Sequence, residues 1–210
     1  MNLWSWLGPR LYDPFLALGE WRGLRHQRRA LLSGARGDVL EIGAGTGLNV
    51  SHYPASVDGL VLSEPDAQMA RRLMARLAAH PLSPTVVEAP AEDLPFDDGS
   101  FDVVISTMVL CTVADPEQVL REVDRVLRPN GRFLFIEHVR SEHPRLARWQ
   151  DRLLPVWKPF AMGCHCNRDT VRLLSHAGWS VDALHHFEWR GMPFIVKPAV
   201  AGSAGRSGAR

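Results

Sequence analysis

Between residues 41 and 47 the chain reads Glu-Ile-Gly-Ala-Gly-Thr-Gly. Gly43, Gly45 and Gly47 would let the backbone turn tightly and pass close to a ligand, because glycine has no Cβ to collide with it. The dinucleotide fingerprint G-x-G-x-x-G/A places its third small residue five positions after the first. Five positions on from Gly43 stands Leu48, and from Gly45 stands Val50, so this loop follows a different pattern. A pyrophosphate asks for amide donors at a helix N-terminus. An acid leading into the loop, Glu41, suits instead a ligand with a cationic end.

S-adenosylmethionine has that chemistry: an ammonium, a sulfonium and a nucleoside. Three further segments follow in the order it needs. Glu64, in Leu62-Ser63-Glu64-Pro65, stands where a carboxylate can accept both ribose hydroxyls; taken alone, it would also serve to cap a helix starting near Pro65. Ala91 and Glu92, in Ala91-Glu92-Asp93-Leu94-Pro95-Phe96, fall near the adenine position, with Asp93 read as structural. Thr107, in Ser106-Thr107-Met108-Val109-Leu110, falls beside the place for the methyl group. Glu41, Gly43, Gly45, Gly47, Glu64, Ala91, Glu92 and Thr107 are therefore the expected cofactor site.

Methyl transfer from a sulfonium is an in-line displacement with an activated leaving group, so the protein mainly positions the acceptor and excludes water. His138 is the catalytic candidate, either as a base toward the acceptor or as a residue shaping the pocket. His165 is a second candidate. Trp149 and Trp157 either flank the sulfonium or an apolar acceptor, or pack a lid. Cys164-His165-Cys166 has metal-ligating residue types, but the second ligand pair of a zinc site is missing from the sequence, and no metal is expected.

The elements that must position these residues alternate. Residues 38–42 and 59–62 read as buried strands, and Met69, Leu73 and Leu77 recur at helical spacing after Pro65. Residues 85–87 and 101–106 are further strands. Asp115-Pro116-Glu117 opens a helix with an N-cap, a first-turn proline and an acid at the positive end of the dipole, and 132–138 is the fifth strand. Residues 140–166, rich in proline and tryptophan, break the alternation and are expected as a lid. Asn167 is expected to cap a helix ending at Gly178, followed by strands at 179–187 and 192–197. The pattern predicts an α/β, Rossmann-like, seven-stranded mostly parallel sheet with helices on both faces. Its lid is helical, N-terminal plus post-strand-5. Residues 1–35 form the N-terminal part, with a regular helix over 16–33 and the Arg25–Arg29 cluster on its solvated face. Residues 36–198 form the domain, and 199–210, small and glycine-rich, a disordered tail.

Composition narrows the partners. A length of 210 residues fits one domain. A formal net charge of +1 gives no global field toward nucleic acid. Three cysteines and no signal-peptide pattern point to a reducing, cytoplasmic setting. The oligomeric state is not legible.

These residues resemble the class I S-adenosylmethionine-dependent methyltransferases over about residues 36–197. The run Leu94-Pro95-Phe96-Asp97-Asp98-Gly99-Ser100-Phe101-Asp102 is similar to the ubiquinone/menaquinone branch. Pro90 stands where many members carry Asp, which leaves the adenine contact to Ala91 and Glu92. Three segments resemble the thiol S-methyltransferases more narrowly: 107–113, Phe135-Ile136-Glu137-His138-Val139, and Trp157-Lys158 through Gly163-Cys164 to Asn167-Arg168-Asp169-Thr170. The resemblance implies a small-molecule acceptor, a thiol first. Phospholipid N-methylation, or O-, N- or C-methylation of a small metabolite, are the alternatives within the enzyme class, and cofactor binding without catalysis the alternative outside it. That family carries an N-terminal membrane-anchoring segment; the short aromatic segment here is expected to close over the site, with peripheral contact at a membrane surface as the other reading.

Overall fold

The computed structural model describes residues 12–78 and 83–206, and expectations that fall on residues 1–11, 79–82 and 207–210 lie outside them. Seven strands, β1 (Gly37–Ile42), β2 (Val57–Ser63), β3 (Thr85–Val87), β4 (Phe101–Thr107), β5 (Leu127–His138), β6 (Trp179–Glu188) and β7 (Pro198–Arg206), form one sheet in the order β3-β2-β1-β4-β5-β7-β6. All pair in parallel except β7, which runs antiparallel to both β5 and β6. Because β1 lies between β2 and β4, the winding reverses there, and a crevice opens beyond the carboxyl ends of β1 and β4.

The helices are α1 (Arg25–Leu32), α2 (Ala67–Leu77), α3 (Pro116–Val126), α4 (Pro144–Phe160) and α5 (Thr170–His176). They cover both faces, which is why the central strands are almost continuously apolar. In β4, Val103 and Ile105 pack with Leu32 of α1 and Leu73 of α2, whereas Val104 packs with Val119 and Val123 of α3 and Leu174 of α5. The two-residue period of a strand produces that division. Local chemistry sets the helix starts. Asp115 accepts a hydrogen bond from the Gln118 amide at 3.0 Å, ahead of Pro116. Asp66, not Glu64, caps α2, accepting from the Gln68 and Met69 amides.

Five expectations are corrected. The last strand is not 192–197: Phe194–Val196 is a single 3-10 turn, and β7 runs over residues counted in the tail. Glycine and alanine there reflect close packing, since a Cβ on Gly202 would lie 2.6 Å from the Ala183 carbonyl oxygen and 2.7 Å from Cζ of Phe135. Residues 199–206 are thus an inner strand rather than a disordered tail. The N-terminal helix is not regular over 16–33: residues 12–32 are helical, but the chain passes through a π-turn at Glu20–Leu24 and kinks at Gly23, φ 146°. Arg28 does not belong to a solvated face. It is buried, with Nε 3.0 Å from Glu20 Oε1 and Nη1 donating to Asn49 Oδ1 at 2.9 Å, as a charge inside a protein must be paired. Asp169, not Asn167, caps α5, accepting from the Arg172 amide at 3.0 Å.

Residues 144–160, expected as part of a lid, are one helix of 17 residues despite Pro155 and Pro159 inside it. Buried Gln150 ties it down, donating to the carbonyls of Val139, Cys166 and Ile195 and accepting from the Ser141 amide.

Candidate active site

The carboxyl edge of the sheet and two lids border an open cavity of about 660 Å³. Gly43 and Gly45 follow β1, Glu64 follows β2, Thr107 ends β4 and His138 ends β5, and all five line it, with Ala91 and Glu92. Tyr12 and Phe15 close it from the N-terminal side, Trp157 and Phe160 from α4. The lids meet through aromatic rings: Phe15 lies edge-on to Phe160 at 5.6 Å and tilted against Trp157 at 6.4 Å. Asp13 clasps the N-terminal lid to the glycine turn, accepting from Thr46 Oγ1 at 2.5 Å and pairing with Arg76 at 2.8 Å.

The glycine turn fits a ligand lying across it. Gly45, φ 58°, has nothing within 4 Å of where a Cβ would stand, so its outer side is free for a ligand. A Cβ on Gly43, φ 59°, would lie 2.6 Å from Val109 Cγ2. Gly47 does not line the cavity; a Cβ there would strike Leu73 of α2, so this glycine serves packing.

Glu64 is buried, and both of its oxygens are held. Oε2 accepts from the Gly45 amide at 2.7 Å and Oε1 from the Asp66 amide at 2.9 Å. Each carboxylate oxygen keeps a further lone pair, so the acid remains able to accept from a diol. Burial raises its pKa, against the two amides.

Glu41 is placed differently from expectation. It is 3% exposed and does not line the cavity. Asn49 Nδ2 donates to its Oε1 at 2.8 Å and the Tyr53 hydroxyl to its Oε2. Its carboxylate is thus engaged by Asn49 and Tyr53, off the cavity wall. Burial pushes its pKa up to about 7, against the bonds from Tyr53 and Asn49. The same Asn49 amide donates to Thr107 Oγ1 at 3.0 Å. A buried chain Glu20–Arg28–Asn49 therefore links the N-terminal lid to both Glu41 and a cavity residue.

Glu92 Oε1 accepts from the Ala114 amide at 3.2 Å, and its carbonyl accepts from Gln118 Nε2 at 3.2 Å, fixing the segment after β3. Asp93 stays outside the cavity. Trp149 packs edge-on against Phe194 and His165 lies off the cavity wall, whereas Trp157 lines it.

Sequence reasoning missed Glu137. Fully buried, it accepts from Ser106 Oγ at 2.7 Å and from the amides of Val109, Leu110 and Cys111 at 3.0, 2.9 and 3.1 Å. It fixes the loop after β4, where Met108 takes a left-handed φ of 61°, a conformation costing about 1–3 kcal/mol that the surroundings must hold. The available signal was an acid inside the apolar run Phe133–Ile136 and His138 of β5.

His138, the catalytic candidate, is 5% exposed and stacked on Trp189 at 5.2 Å. Its Nδ1 lies 3.3 Å from Cys164 Sγ and 3.6 Å from Cys111 Sγ, and its Nε2 is buried without a hydrogen-bond partner. Both thiols line the cavity. Cys111 and then the imidazole pull the Cys164 thiol below the ordinary range, while the Cys164 contact and burial push Cys111 up. The cysteines that meet are Cys111 and Cys164, with Cys166 outside the group.

A doubly wound sheet with an antiparallel seventh strand, and a glycine turn after β1 and an acid after β2 lining the same cavity, define an S-adenosylmethionine-dependent methyltransferase of class I. Comparison with known proteins agrees. The methyltransferase domain family matches residues 40–135. A putative methyltransferase from Bacillus halodurans shares the fold, with a TM-score of 0.70 at 17% identity over 89% of this chain and 99% of that one. Human thiol S-methyltransferase TMT1A is 33% identical over 97% of this chain and 89% of its own length. Human thiol S-methyltransferase TMT1B is 41% identical over 71% of this chain and 63% of its own. The chain belongs to the thiol S-methyltransferase family.

Proposed function

We propose that the enzyme methylates the sulfur of a small apolar thiol. One observation carries the reading: besides the polar groups of Glu64, Glu92 and Thr107, the cavity is lined mainly by aromatic and aliphatic side chains, and Cys111, His138 and Cys164 stand together among them. The names of the relatives TMT1A and TMT1B support the same acceptor.

The cofactor supplies a methyl group on a positively charged sulfur, already activated for displacement. This chain's residues do the rest. Glu64 and the Gly45 turn orient the nucleoside, and Thr107, held by Asn49, borders the reacting end. Phe15, Trp157 and Phe160 exclude water, which disfavours charged acceptors and strengthens every electrostatic contact inside. The acceptor sulfur rests against the Cys111–His138–Cys164 group. Buried free thiols fit a reducing, cytoplasmic setting, with exposed Trp21 as a point of peripheral membrane contact. Trp21→Ser should then reduce co-sedimentation with vesicles without slowing turnover on a soluble thiol; unchanged co-sedimentation would remove that contact.

One experiment tests the acceptor. Methyl-labelled cofactor is offered simple alkyl thiols, phenols, amines and phosphatidylethanolamine vesicles in parallel. Labelled thioether from the thiols is expected. Turnover on phenols, amines or vesicles without thioether would replace this reading by one of those chemistries.

A further inference from the structure

Cys111, His138 and Cys164 come from three separate places, the loop after β4, the end of β5 and the segment after α4, yet their Sγ, Nδ1 and Sγ atoms all lie within 4.8 Å of one another. Each residue is buried. Both sulfurs approach the same ring nitrogen, which carries either one proton or one lone pair. A hydrogen bond at that nitrogen can therefore satisfy only one of the two contacts, and the other sulfur turns to its fellow thiol. A cation in the middle would satisfy all three at once.

The distances fit such a cation. Zinc binds thiolate sulfur at about 2.3 Å and imidazole nitrogen at about 2.0–2.1 Å, so two ligands at a tetrahedral angle stand about 3.6 Å apart. The observed sulfur–nitrogen separations are 3.3 and 3.6 Å. Two thiolates and one imidazole are a soft set that selects zinc over magnesium or calcium. Three protein ligands leave one tetrahedral position open, the arrangement of catalytic rather than structural zinc. All three residues line the cavity, so the open position faces the acceptor.

We infer that Cys111, His138 and Cys164 form a three-ligand zinc site whose fourth position takes the acceptor thiol. Its second half rests on the thiol reading above; the metal site itself does not. The acceptor binds as R–S⁻ and its proton passes to water. An electron pair of that sulfur forms the new S–CH3 bond as the methyl's bond to the sulfonium breaks, and the pair of the broken bond stays on the departing sulfur, which becomes a neutral thioether. The methylated acceptor, now also a neutral thioether, is a weaker ligand than the thiolate and leaves the metal.

Cobalt(II) is the probe, titrated into chelator-treated, full-length protein kept under a phosphine reductant. One equivalent should bind, with thiolate-to-cobalt charge-transfer absorption and the intense visible bands of tetrahedral cobalt, and zinc should displace it. Cys164→Ser and His138→Asn should each raise the cobalt dissociation constant more than about 100-fold, the upper end of what losing a ligand's supporting partner costs. Cys166→Ser, buried nearby but outside the group, should leave it unchanged. No stoichiometric binding by the wild-type protein, whose fold is checked by circular dichroism, overturns the site without any variant. An alkyl thiol should shift the visible bands, and unchanged bands overturn coordination of the acceptor. Thioether formation at full rate by the metal-free protein overturns the metal's role while leaving the thiol reading intact. Tight cobalt binding with methylation of phenols alone keeps the site and overturns the acceptor.

Discussion

The Gly45 amide donates a 2.7 Å hydrogen bond to Glu64 Oε2, so the acid ending the second strand clasps the glycine turn ending the first. The two elements that would hold a nucleoside are therefore one unit. Replacing the acid should weaken the cofactor without unfolding the sheet. Glu64→Gln keeps an acceptor for Gly45 but loses the charge that strengthens bonds from ribose hydroxyls, worth about 1.5–3 kcal/mol. The cofactor dissociation constant should rise about 10- to 150-fold, measured by isothermal titration. An unchanged constant would remove Glu64 from the ribose.

Glu137 predicts a stability effect. Glu137→Ala leaves three buried amides and the Ser106 hydroxyl without their acceptor, at about 1–3 kcal/mol for each group that finds no substitute. A loss of at least about 3 kcal/mol is expected, read from the urea midpoint at constant slope. Glu137→Gln, which retains one acceptor oxygen, should lose less. A midpoint within the usual scatter of surface variants would mean the loop after β4 holds itself.

Glu41 makes stability depend on pH. Burial raises its carboxyl from 4.5 to about 7 in the folded chain. Between those values the unfolded chain has released the proton that the folded chain keeps, so stability falls as pH rises through this window. The span corresponds to about 3 kcal/mol, fully present below the lower value and lost above the upper. Glu41→Gln should reduce the slope of the urea midpoint between about pH 4.5 and 7, leaving the share of the other buried acids, Glu64 and Glu137. The same slope in the variant would assign the dependence to another group.

Asp13 predicts a kinetic effect. Asp13→Ala breaks the contact with Thr46 beside the turn and the pair with Arg76. If the N-terminal helix closes over bound cofactor, release should quicken about tenfold, the kinetic equivalent of about 1.5 kcal/mol. Stopped-flow dissociation measures it; an unchanged rate would mean that the helix packs there without gating.

Much of this was legible because local chemistry and global architecture agree. Strands β1 to β5, the capped start of α3 and the order Gly43, Gly45, Glu64, Glu92, Thr107 along one sheet edge follow from alternation and turn residues. What stayed hidden is what depends on distant partners. The strand 198–206 reads as a loose tail because its small residues answer to Phe135 and Ala183, far away in sequence. Arg28 reads as solvated because its partners, Glu20 and Asn49, lie on other elements. The burial of Glu41 stayed hidden because nothing local announces that Tyr53 and Asn49 will engage it. The thiol group stayed hidden in the same way: Cys164 stands far in sequence from Cys111 and His138, and the loop after β4, the end of β5 and the segment after α4 bring the three together.

On the proposed function, the sheet's carboxyl edge, between the Gly45 turn and the Cys111–His138–Cys164 group, holds the methyl donor and acceptor together. A crystal structure with S-adenosylhomocysteine tests it most directly. Ribose hydroxyls on Glu64, the chain of the nucleoside across Gly43 and Gly45, and the thioether sulfur turned toward His138 are expected. Density for the ligand anywhere else, or this crevice filled while the sulfur points away from the three residues, would contradict it.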